Sequence, residues 1–122
     1  MKIEKVEAVG GNIAIVKGNE ILIEDVQSAL DLMATVQYEA DSDRIIIDKS
    51  LISERFFDLK TRLAGEILQK FINYRKKIAI VGDFSVYASQ SLKDFIYESN
   101  NGNDIFFLDN EQQAIEKLSK LK

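Results

Sequence analysis

The sequence predicts an α/β domain on a five-stranded, mostly parallel sheet, and three observations carry that expectation. Ile45-Ile46-Ile47 and Ile78-Ala79-Ile80-Val81 are apolar runs without alternation, as in strands covered on both faces. Leu63, Ala64, Ile67, Leu68, Phe71 and Ile72 recur at helical spacing between those runs. Three consecutive strand-to-helix crossovers then require parallel strands joined by right-handed connections.

The elements follow in order. Residues 2–9 alternate Val6 and Ala8 with charges, as on a half-exposed edge strand. Gly10, Gly11 and Asn12 make a turn, and residues 12–17 form a second strand paired antiparallel to the first. Gly18 and Asn19 end it, and residues 21–23 are briefly extended. Glu24 and Asp25 open a helix whose Val26, Ala29, Leu30, Met33 and Ala34 face the sheet. Residues 44–48 are a central strand, and residues 51–59 a loop with one helical turn. A strongly amphipathic helix runs from Asp58 or Lys60 to Asn73, residues 77–82 repeat the buried-strand pattern, and Ser91 to Ser99 is a helix turning Leu92, Phe95 and Ile96 inward. Asn100-Asn101-Gly102 stops it. Residues 104–108 are the last strand, and Asp109 with Gln112 reads as a capping box before a helix carrying Ala114, Ile115, Leu118 and Leu121. The expected order is β-β-α-β-α-β-α-β-α in one domain, 1–122.

Composition narrows the chemistry. The chain has neither cysteine nor histidine, which removes thiolate and imidazole metal sites and Ser-His catalysis. A cysteine-free chain suits a reducing cytoplasm. No apolar run approaches the roughly 20 residues that span a bilayer, so no membrane role is expected. The net charge of −4 disfavours nucleic-acid binding. No cofactor is implied.

The segments Phe56-Phe-Asp-Leu-Lys-Thr-Arg-Leu-Ala-Gly-Glu-Ile-Leu-Gln-Lys-Phe71, Lys77-Ile-Ala-Ile-Val-Gly-Asp-Phe84 and Ser91-Leu-Lys-Asp-Phe-Ile-Tyr-Glu-Ser-Asn100 resemble a bacterial family, the domain of unknown function 4180. That family has no assigned activity and supplies no catalytic residue. The order of elements is also similar to STAS domains, the anti-sigma-factor antagonist fold, in which a phosphorylated Ser opens the helix after a central strand. The nearest stretch here, Phe57-Asp58-Leu59-Lys60-Thr61, has Leu59 where that Ser would stand. The resemblance therefore implies a STAS-like binding or regulatory module without the phosphoswitch, meeting a protein or a small polar ligand.

Candidate chemistry is sparse. Asp48, Asp83 and Asp109 each follow an apolar strand, where a parallel sheet offers its carboxyl edge to ligands. Converging, they would hold Mg²⁺ and act on a phosphate-containing small molecule, with Asp58 as a further carboxylate; dispersed, they are caps, and the capping box makes Asp109 structural. Gly82-Asp83-Phe84-Ser85 is a short turn with a carboxylate and a hydroxyl, Asp83 and Ser85, that suits a small polar ligand. Thr61, Arg62, Glu66, Gln69 and Asn73 form the polar face of the long helix, and Lys60, Arg62, Lys70, Arg75, Lys76 and Lys77 concentrate positive charge around it. Phe56 and Phe57 either close the sheet end or stand partly exposed as interface anchors, the second being the expectation if residues 56–73 are the contact surface. An apolar pocket lined by Phe56, Phe57 and Phe84 would instead indicate a small-ligand carrier.

Overall fold

The computed structural model describes residues 1–121 and has the expected order of elements. Strands β1 (Lys2–Ala8), β2 (Gly11–Lys17), β3 (Ser42–Asp48), β4 (Lys77–Val81) and β5 (Ile105–Leu108) lie side by side in sequence order. β1 is antiparallel to β2, and the other pairs are parallel. Because every right-handed crossover moves the sheet in the same direction, the crossover helices share one face. These are α1 (Val26–Ala40), α2 (Leu63–Asn73) and α3 (Gln90–Asn100), packed over Ala14, Val16, Ile45, Ile47, Ile78, Ile80 and Phe107. The terminal helix α4 (Glu111–Ser119) crosses no strand and covers the opposite face, where Ala114 and Leu118 bury Ile13, Ile15, Ile46, Ala79 and Phe106.

Local chemistry sets the boundaries. Asp25 and Ser28 form a reciprocal capping box at the start of α1, the Asp25 carboxylate accepting from the Ser28 N–H at 2.7 Å. The buried side of α1 is Ala29, Leu32, Met33, Val36 and Ala40; Ala34, expected to face the sheet, is exposed. At α4 the cap sits one residue later than the sequence pattern indicated. Asn110 accepts from the Gln113 N–H at 2.9 Å, while Asp109 stands just outside the helix and donates its N–H to the Gln113 side chain at 3.2 Å.

β3 starts with two buried polar residues. The Ser42 hydroxyl donates to the Asn12 carbonyl at 2.6 Å, holding β3 to β2. Arg44 is 3% exposed, and its guanidinium donates to the Gly10 carbonyl at 2.9 Å and to the Leu118 carbonyl. One buried cation thus ties the β1–β2 turn to the negative end of α4.

Residues 51–59 hold more structure than one helical turn. Three 3₁₀ turns, Lys49–Leu51, Glu54–Phe57 and Leu59–Thr61, run in succession, each opened by an Asp or Ser side chain that accepts a backbone N–H. Gly82 ends β4 at φ +154°, where a Cβ would lie 2.6 Å from Lys49 Cγ, so only glycine fits there.

Candidate functional site

The carboxyl edge of the sheet does not gather the three aspartates. Asp48 accepts the Ser50 N–H at 2.8 Å, and Asp58 accepts the Lys60 N–H at 3.2 Å. Asp83 accepts the Ser85 N–H at 2.9 Å and the Ser85 hydroxyl, and these bonds hold its carboxyl below the ordinary carboxylate value. Asp48 and Asp109 share a cleft of about 280 Å³ with Lys17 and Glu111, but Asp83 is not part of its lining. Lys17 is ion-paired with Glu111, and that hydrogen bond raises its ammonium above the ordinary value. Among the described residues no group of three His, Cys, Asp or Glu side chains is placed to hold a metal ion. Asp48, Asp58 and Asp83 thus each serve a neighbouring turn.

Phe56 and Phe57 are not exposed anchors. They are 1% and 4% accessible, which overturns the expectation of a partly exposed pair. The 3₁₀ turn Glu54–Phe57 leaves Glu54 and Arg55 in solvent and rotates both rings onto the core. Phe57 then stacks on Tyr87 with centroids 5.2 Å apart, Phe56 meets Phe57 edge-on at 5.0 Å, and Phe84 meets Phe107 edge-on at 5.4 Å. The rings fill their own space, so Phe56, Phe57 and Phe84 form a lid. The Tyr87 hydroxyl donates to the Glu54 carboxylate at 3.2 Å, and Lys49 Nζ stands 4.8 Å above the Tyr87 ring. Burial, with the Glu54 charge and hydrogen bond, pushes the Tyr87 hydroxyl up to about 12.

Thr61 is also committed. Its hydroxyl donates to the Arg55 and Asp58 carbonyls, both at 2.8 Å, and accepts the Leu63 N–H at 3.2 Å. It therefore leads the chain into α2. The positive concentration around α2 is partly spent as well, because Lys76 donates to Gln37 at 2.7 Å and Lys77 pairs with Asp104 at 2.9 Å.

What stays open is one side of α2. Arg62, Gly65, Glu66, Gln69, Ile72 and Asn73 are all exposed, while Leu63, Ala64, Ile67, Leu68 and Phe71 are buried. Of the residues singled out from the sequence, the fold thus brings Arg62, Glu66 and Gln69 together in solvent. Arg62 starts the helix in the left-handed region, φ 64°, a conformation that costs a non-glycine residue about 1–3 kcal/mol. Gln69 donates to Asn73 at 2.9 Å along the same stripe. Beside the stripe a groove of about 370 Å³ runs between α2 and α3, with Leu68, Phe95 and Ile105 in its lining and Gly65 and Ile72 on its α2 wall.

Sequence reasoning missed Gly65 and Ile72. Ile72, read as part of the buried face, is 43% exposed. A Cβ built on Gly65 would meet nothing within 4 Å, so no packing inside the chain demands a glycine there. The signal was a lone glycine inside a helical pattern, which lowers helix stability by up to ~1 kcal/mol relative to alanine.

No helix among the described residues is long and apolar enough to cross a membrane. A search of curated proteins returned no match. A solved structure of a Thermotoga maritima protein, described as a candidate anti-sigma factor antagonist, is similar over 97% of this chain and 95% of that one, at 12% identity and a TM-score of 0.46. The profile of the domain of unknown function DUF4180 matches residues 9–118, covering every strand except β1 and all of the α2 surface, and the chain belongs to that family.

Proposed function

We propose that the chain is a non-enzymatic binding module of the cytoplasm that meets a protein partner through the exposed stripe of α2. The observation that carries this reading is Gly65: a helix position that sacrifices stability and packs against nothing in its own chain suits the close approach of another. The neighbouring groove offers apolar floor with Gln69 in its lining, and Arg62 is exposed one turn before Gly65 and Glu66 on the same helix, the mixture of apolar centre and polar rim that interfaces use. The carboxylates of Asp48, Asp58 and Asp83 each accept a neighbouring backbone N–H, which favours binding over carboxylate catalysis.

A host-lysate pull-down tests it. Recovery of the partner by wild type and loss of recovery with Arg62→Ala/Gln69→Ala, folded by circular dichroism, is the expected result. Equal recovery of every captured protein would defeat the reading.

A further inference from the structure

Building on the α2 contact surface proposed above, we infer that its partner is a second copy of this chain, packed α2 against α2 in an antiparallel two-fold pair. Gly65 and Ile72 are seven residues apart, which places them about two turns apart and within roughly 20° of each other around the helix. One is a hole and the other a knob: space around the Gly65 Cβ position is open, and Ile72 projects 43% of its surface into solvent. A two-fold axis level with Leu68 and Gln69 reverses the order of residues and seats each Ile72 beside the partner's Gly65, twice per dimer.

The same axis settles the charges. On the other flank of the stripe stand Glu66 and Lys70, which make no ion pair within the chain among the described residues. An axis perpendicular to antiparallel helices joins like flanks, so Glu66 faces the partner's Lys70, and Lys70 faces the partner's Glu66. Gln69 meets its own counterpart near the axis. Shape and charge are thus self-complementary under a single operation, which a heterologous partner would match only by coincidence. One pair of three-turn helices buries less than the roughly 1,200 Å² of a standard interface, so the dimer is a weak, concentration-dependent one.

Sedimentation equilibrium over a wide concentration range tests the pair. Wild type is expected to self-associate. Glu66→Lys, which sets like charges opposite each other, and Gly65→Gln, which fills the hole with a good helix former, should each raise the dissociation constant about tenfold or more. The double exchange Glu66→Lys/Lys70→Glu should restore association, because each new charge again faces its opposite. Circular dichroism confirms that each variant folds. A wild type that stays monomeric at every concentration overturns the inference, and if the pull-down still depends on Arg62 and Gln69, the α2 surface itself survives with a different protein on it. Self-association untouched by Glu66→Lys and Gly65→Gln overturns the inference as well, and the pull-down with Arg62→Ala/Gln69→Ala then decides the α2 surface separately.

Discussion

The rings of Phe57 and Tyr87 lie stacked, centroids 5.2 Å apart and planes 19° from parallel, so the loop after β3 and the loop after β4 share one aromatic layer. With Lys49 above the Tyr87 ring and Glu54 on its hydroxyl, this layer covers the crossover-helix side of the carboxyl edge of the sheet, where open α/β folds commonly admit ligands. That cover turns attention from the sheet edge to the helices.

The stack gives an alkaline signature. Tyr87 keeps its proton up to about 12 in the folded chain, whereas an unfolded tyrosine ionises near 10. Its contribution to stability is full below the unfolded value and is lost as pH rises through the folded one. The tyrosinate absorbance titration of wild type minus that of Tyr87→Phe should isolate one hydroxyl ionising at about 12. A difference curve centred near 10 would show the ring loosely held.

Acid acts in the opposite sense. The Ser85 bonds lower the Asp83 carboxyl, so the stability it lends is present above the ordinary carboxylate range and disappears as pH falls through the lowered value. Asp83→Asn should flatten the acid limb of the stability profile. Because the carboxylate is a cap, millimolar Mg²⁺ should leave the melting temperature unchanged in both proteins. A saturable rise with Mg²⁺ that Asp83→Asn abolishes would return this loop to the list of metal sites.

The core prediction concerns Ile80, which is fully buried on β4 between Ile47 and Phe107 of the neighbouring strands. Ile80→Ala should cost on the order of 2–5 kcal/mol through lost burial and a residual cavity, measured by urea unfolding. A cost below about 1 kcal/mol would mark the strand as peripheral.

Arg44 should matter through its hydrogen bonds. Arg44→Met keeps much of the stem but strips the donors from the Gly10 and Leu118 carbonyls, and should destabilise by about 1–3 kcal/mol. An unchanged unfolding midpoint would mean that α4 is held by its apolar face alone.

The fold was legible because its signals are periodic. Ile45-Ile46-Ile47 has no polar alternation, and the structure covers it from both sides; the crossover count fixed the parallel sheet. Periodicity tells which residues are apolar and not what covers them. Ile72 continues the apolar pattern of α2 yet lies at its margin, beyond the reach of the sheet. Phe56 and Phe57 turned inward because 3₁₀ turns, capped by Ser53 and Asp58, set their direction, and short turns leave no repeat to read. The cap of α4 sits one residue later than expected because Asp109-Asn110 offers two good caps in a row, and it is the Asn110 side chain that accepts the Gln113 N–H. Arg62, Glu66 and Gln69 were recognisable as a face, but Gly65 gains meaning only once the space around it is known.

Gly65→Ala tests the central claim most directly, by comparing partner recovery with the stability of the same variant. The added methyl enters open space on a helix, so urea unfolding should show a gain of about 0.4–1 kcal/mol. Recovery of the partner should nevertheless fall, because the methyl occupies the gap that the partner needs. A variant that is less stable than wild type, or more stable with undiminished recovery, would contradict the account.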